Sequence, residues 1–346
     1  MTPLIKSDSS SAPRIESIQP DVVLPGGEIE VTGANLGAIS YRRPVAMVGE
    51  LAAPVLMSRS KRIVLRIPEE AESGRLRILQ NGAQSNSVDL SVASLLATGV
   101  HAVSSPAVDR EGNIYATFSG TRGQETPVSV FRIERDGEMR PFLSGIMNAT
   151  GLAVGDDGNL YVSSRQEGTV YRVTPAGAAS VYAEGMGVAT GIAFDAEGNL
   201  YVGDRSGTIF KIDSQRKIFV LATLEPSISA YHLSIDSEGT LFVTGPTLCS
   251  NDAIWAIDTH GQMRAWFRGL GRPQGLALSK DGDVYVTACL RGRRGLVRVT
   301  PAGETSLVVA GNNLVGVAFS PLGTTILATN EAVYDVDLGV EGMNVS

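Results

Sequence analysis

Arg122, Arg165, Arg205, Arg291, Arg293 and Arg294 fall in short polar segments that each follow an apolar run. A guanidinium carries a rigid fork of donors that matches carboxylate and phosphate oxygens. If these segments share one face of the fold, they form a cationic rim, with Glu125, Glu167, Asp204 and Glu331 as partial counter-charges. The chemistry expected of such a rim is recognition of an anionic small molecule, an acidic glycan or an acidic protein. A second, mostly polar group precedes another series of apolar runs: Ser104 or Ser105, Thr150, Thr190, Tyr231, Gln274 and Val315. Of these, Thr150, Thr190, Tyr231 and Gln274, with the adjacent His232, are candidate ligand contacts, together with Arg165, Arg205 and Arg293.

Neither group has the residues of a standard catalytic site. A hard cation needs several oxygen ligands, usually including carboxylates, whereas the second group offers hydroxyls, one amide and a valine. The chain has three histidines, His101, His232 and His260, and the spacing does not let all three converge. Cys249 and Cys289 read as unpaired thiols, with a single disulfide between them as the alternative. The run Gly155-Asp156-Asp157-Gly158-Asn159 resembles a cation loop, but related turns recur along the chain, so turn chemistry explains it. Neither a nucleophile elbow, a phosphate loop, a dinucleotide fingerprint nor zinc spacing is found.

The elements that position these residues are repeats. A Gly-Asn, Gly-Asp or Gly-Thr turn recurs with its second residue at 113, 159, 199, 240, 283 and 324, spaced 46, 40, 41, 43 and 41 residues apart. EGNIYATF, DGNLYVSS, EGNLYVGD, EGTLFVTG, DGDVYVTA and LGTTILAT flank these turns. Each is preceded by one short strand and followed by another, the period and pattern of propeller blades. The glycine of each turn is expected at positive φ. The sixth unit runs out after three strands. ASLLATG at 93–99 matches the fourth strands ASVYAEG and TSLVVAG, so it is expected to close the last blade. The arginine segments then become the loops between second and third strands, and the other polar group lies at the mouth of the central channel.

The first 92 residues read differently. After a Ser-rich tail to about residue 12, expected to be mobile, residues 13–92 alternate as short strands between Gly-, Pro- and Asn-rich turns, a small β-sandwich. PRIESIQP, PGG, IEVTGANLG and LQNGAQSNSVDLSV resemble an IPT/TIG domain, an immunoglobulin-like module. The repeats from 93 to 346 resemble NHL and SMP-30/gluconolactonase or strictosidine-synthase-like six-bladed propellers. Lactonase-type relatives imply Glu, Asn and Asp around a divalent metal at the channel mouth. Here Ser104-Ser105-Pro106 stands where that family has an acid.

The fold class expected is therefore all-β: an Ig-like sandwich followed by a six-bladed propeller. A net charge of −7 disfavours nucleic acid and anionic membrane as partners, and no apolar run is long enough to span a bilayer. The first residues carry no secretion signal, so the cytoplasm is the default expectation. An extracellular or periplasmic place is the alternative if a signal has been removed. The leading reading is a binding or interaction protein using the loop face of the propeller, without a cofactor. The alternative is a hydrolase or lyase with a degenerate channel site built on Asp204, His232 and Asn330, with Ca2+ or Zn2+ at the mouth.

Overall fold

A computed structural model describes residues 12–38, 42–249 and 251–343. The tail expected to be mobile lies almost wholly outside them. Two compact units are present: Met1–Ala93 with Val308–Gly311, and Ser94–Leu307 with Asn312–Ser346. The described residues form strands and turns, with no helix.

In the N-terminal unit, Arg14–Gln19, Glu28–Ala34, Arg62–Arg66 and Val55–Arg59 form one four-stranded antiparallel sheet in that order. Val88–Val92, Gly74–Gln80, Val45–Val48 and Leu51–Ala53 lie antiparallel in a second sheet, to which Val22–Val23 adds parallel on Val88–Val92 and Ala83–Gln84 antiparallel on Gly74–Gln80. The period of two sorts the side chains: Ile29, Val31, Ile63, Leu65, Leu76 and Ile78 are fully buried. Arg62 and Arg66 point outward and pair across the strands with Glu30 (2.6 Å) and Glu28 (2.8 Å). At this exposure each pair contributes at most about 1 kcal/mol, so these two arginines are largely neutralised surface charge.

The second unit is a ring of six sheets. In chain order, the first blade holds Ala107–Val108, Ile114–Thr117, Val130–Ile133 and Met139–Leu143, and the second Ala149–Val154, Leu160–Ser164, Thr169–Val173 and Ala179–Ala183. The third holds Ala189–Phe194, Leu200–Asp204, Thr208–Ile212 and Ile218–Thr223, and the fourth His232–Ile235, Leu241–Thr244, Asp252–Ile257 and Met263–Leu270. Leu276–Leu278, Val284–Leu290 and Arg293–Val299 belong to the fifth, followed in the chain by Thr305–Ala310. Leu314–Phe319, Thr325–Thr329 and Ala332–Val336 make the sixth, whose outer strand is Ser94–Thr98, paired antiparallel with Ala332–Val336. The expected closure is thus present, and it removes the open edge an array would leave.

The first turn of every blade has its glycine at positive φ: Gly112, Gly158, Gly198, Gly239, Gly282 and Gly323. In the first four blades an aspartate completes the turn. Asp195 Oδ1, for example, accepts from the Asn199 amide at 2.7 Å, and its Oδ2 accepts from the buried Tyr201 hydroxyl. The DDGN segment is such a turn: Asp157 accepts from the Asn159 amide and the Tyr161 hydroxyl. Two second-strand aromatics meet aromatics of the next blade edge-on, Tyr161 on Phe194 at 4.7 Å and Tyr285 on Phe319 at 5.3 Å, a geometry favoured by the ring quadrupole.

One expected loop is not a loop. Thr287–Arg294 continues the strands of the fifth blade to Leu290 and from Arg293. Arg291 (φ +51°) and Gly292 (φ +84°) make the two-residue turn, a pairing of positive φ values that matches the twist of the flanking strands.

Candidate functional site

The first residues of the inner strands meet around the ring axis. Register aligns Ser105, Gly151, Gly191, His232, Gly275 and Gly316 as equivalent positions. At the four glycines the neighbouring blade leaves no room for a side chain. A Cβ on Gly151 would lie 2.2 Å from the Thr190 carbonyl oxygen, and one on Gly191 2.3 Å from that of Tyr231. One on Gly275 would lie 2.5 Å from Gly316 Cα, and one on Gly316 2.4 Å from Ser105 Cα. Only backbone without side chains can approach so closely.

Hydrogen bonds tie all six junctions at this level. Ser104 Oγ donates to the Thr150 carbonyl, Ser163 Oγ to that of Thr190, and Thr244 Oγ1 to that of Gln274. The Gly191 amide donates to the Tyr231 carbonyl (2.9 Å), and the Tyr231 amide to Thr190 Oγ1 (3.1 Å). The Gly275 amide donates to the Val315 carbonyl (3.1 Å), and the Val317 amide to Ser105 Oγ (3.3 Å). The positions read from the sequence as the channel mouth therefore form a closed girdle between blades.

Their side chains follow. Thr150 and Thr190 are buried, and their hydroxyls donate to the Asn148 and Gly203 carbonyls. Tyr231 sits in the core between the third and fourth blades, its hydroxyl donating to the Glu225 carbonyl. Burial, followed by the nearby Glu225 and Asp204 charges, pushes its pKa up to about 12. Gln274 and Val315 are half-buried. His232 is buried, and its Nε2 has no hydrogen-bond partner among the described residues. Burial lowers its pKa to about 4, so the ring is neutral at neutral pH.

Asp204, His232 and Asn330 stand on the third, fourth and sixth blades. The buried Asp204 carboxylate accepts from the amides of Val188 (2.9 Å) and Ser206 (3.1 Å) and from the Ser206 hydroxyl. Asn330 is half-buried in the turn after Thr325–Thr329. Among the described residues no three His, Cys, Asp or Glu side chains come together in a way that could hold a metal ion. The mouth positions do not fit calcium or zinc: their carbonyl oxygens are engaged between blades and they carry no carboxylate. Both cysteines are free thiols, Cys249 exposed and Cys289 half-buried.

The second-to-third-strand loops are more open. Arg165 of the second blade reaches back to the first, donating from Nη2 to the Gly120 carbonyl at 2.9 Å. Its Nε is buried without a partner. Burial, then the charges of Arg205 and Arg122, pull its pKa below the usual arginine value. Arg205 donates from Nε to the Ser227 carbonyl (3.1 Å) and from Nη2 to that of Ile228 (2.9 Å). Arg293 begins the third strand of the fifth blade. Nothing in the sequence pointed to Asn148, which is buried at φ +51°. It holds the first-blade loop by donating to the Gly120 and Thr121 carbonyls and accepting from the Gly123 amide. These contacts are 25 to 28 residues distant in sequence and leave no local signature.

No protein-family model matches the chain, and no curated protein matches it. Solved structures do. An auxiliary nutrient-binding protein from Bacteroides thetaiotaomicron is similar with a TM-score of 0.55 and 13% identity, over 95% of this chain and 98% of that one. A candidate gluconolactonase gives a TM-score of 0.61 and 16% identity, over 73% and 93%. A gluconolactonase from Xanthomonas campestris gives 0.55 and 12%, over 72% and 88%. The fold defines an all-β protein with a six-bladed propeller, similar in fold to solved gluconolactonase structures. At these identities the likeness establishes the fold alone.

Proposed function

We propose that this protein is a binding protein whose propeller recognises an anionic ligand on the face formed by the loops between second and third strands. The observation that carries this reading is the arginine group of the first three blades. Arg122, Arg165 and Arg205 form no ion pair among the described residues, and Arg165 is partly withdrawn from water. Positive charge left without a carboxylate and partly desolvated favours a negative ligand. Thr150, Thr190, Tyr231 and His232 serve in this reading as the scaffold that fixes the loops, while Gln274 and Arg293 extend the face. In this reading the chain binds its ligand without turning it over; a protein of similar fold is a nutrient-binding protein. The IPT/TIG-like unit is a spacer or a second contact module.

The rival reading is lactone hydrolysis, by analogy with the gluconolactonases of similar fold. Its residues would be Asp204, His232 and Asn330, two of which are already enclosed or hydrogen-bonded. The separating experiment is hydrolysis of glucono-δ-lactone with added calcium or zinc. The binding reading expects no turnover above background. Metal-dependent turnover lost in Asp204→Ala would overturn it.

A further inference from the structure

Hydrogen bonds position two arginines of the cationic face and the loop that carries a third. Arg165 and Arg205 are equivalent positions on neighbouring blades, each directly after the last residue of the second strand. Arg165 crosses to the first-blade loop, where Nη2 binds the Gly120 carbonyl two residues before Arg122. Asn148 fixes that loop on both sides of Arg122, through the Thr121 carbonyl and the Gly123 amide. Arg205 is oriented by two carbonyls of the next connector.

Two nearby acids are engaged elsewhere. The Asp204 carboxylate is turned into its own loop. Glu167 accepts from the Tyr171 hydroxyl at 3.0 Å. Glu125 is exposed and forms no ion pair among the described residues. Carbonyl partners orient a guanidinium without neutralising it, and each arginine keeps donors that no protein group uses. Holding like charges together costs free energy, and a shared counter-anion relieves that cost.

We infer that Arg122, Arg165 and Arg205 form one site for a compact oxyanion with at least two negative charges, a phosphate monoester or a di- or tricarboxylate. This rests on the anionic-ligand reading above and narrows it to three blades and one ligand class. Arg165 and Arg205 are the pre-oriented members. Arg122, exposed and without a hydrogen-bond or ion-pair partner among the described residues, closes on the ligand from the first-blade loop.

The test is calorimetric titration of the complete chain with inorganic phosphate and with citrate at low ionic strength. One saturable site is expected, and the tighter of the two anions assigns phosphate or carboxylate as the natural group. Arg122→Ala should weaken binding at least tenfold. It removes no contact within the fold, so its melting temperature should equal that of the wild type. Arg165→Lys, which keeps the charge but loses the fork, should weaken binding while retaining the fold. Lys217→Ala lies in a turn between third and fourth strands, at the opposite end of the strands, and should bind as wild type does. Equal weakening by Arg293→Ala and Arg122→Ala would overturn the three-arginine site while leaving the cationic face standing. Failure of both anions to bind, or equal weakening by Lys217→Ala, would overturn both.

Discussion

The carbonyl oxygen of Tyr231 accepts a hydrogen bond from the Gly191 amide at 2.9 Å, and a methyl group on Gly191 would stand 2.3 Å from that same oxygen. One contact thus joins the third blade to the fourth and excludes every side chain from its donor. Gly191→Ala should destabilise the propeller by about 3 kcal/mol, because the clash is with backbone and cannot be relieved by a rotamer change. Urea unfolding followed by tryptophan fluorescence measures this. A loss under about 1 kcal/mol would mean that the blades slide past each other easily.

His232 occupies the position equivalent to Gly191 on the next blade, buried and neutral. Its folded pKa of about 4 lies below its ordinary 6.5. Below pH 6.5 the unfolded chain takes up a proton that the folded chain does not. Stability is therefore fully present above about pH 6.5 and falls progressively toward pH 4, by up to about 3 kcal/mol. His232→Gln should flatten that part of the stability profile relative to wild type, as read by urea midpoints at pH 7.5, 5.5 and 4.5. Parallel profiles would show that the ring takes up its proton as readily in the fold as in the unfolded chain.

Tyr231 separates core from contact. Its hydroxyl is bonded to the Glu225 carbonyl and its ring lies among Tyr201, Leu233 and Val243. Tyr231→Phe should cost about 1.5 kcal/mol of stability through the stranded carbonyl and leave citrate and phosphate affinity unchanged. A tenfold loss of affinity with intact stability would make Tyr231 a ligand contact after all.

Asp204 gives a similar division. Asp204→Ala removes the acceptor of three hydrogen bonds and should destabilise the third-blade loop by about 2 to 3 kcal/mol. Asp204→Asn, which retains one acceptor oxygen, should cost less. Limited proteolysis with mapping of the first cut checks this, with earlier cleavage near residues 204–207 expected in the alanine variant.

The repeat and its closure were legible because each blade restates one local rule, a strand, a glycine at positive φ and a second strand, which carries an aromatic in the first five blades. Comparing 93–99 with 179–185 was enough to find the missing outer strand. The inner positions were legible as a set but not in their role. Thr150 and Gln274 look like ligand contacts in sequence, and only the ring shows their carbonyls bound by the blade before. Arg165 carried a charge signal, whereas its reach to Gly120 depends on how two neighbouring blades meet. Asn148 gave no signal, since a buried asparagine holding a loop from the next blade resembles any other turn residue.

The most direct test of the account is a crystal structure of the complete chain grown with citrate. The account predicts an anion bridging the guanidinium groups of Arg122, Arg165 and Arg205, with the girdle from Ser104 to Val317 unchanged. Citrate bound within the girdle, against His232 and Asp204, would contradict it.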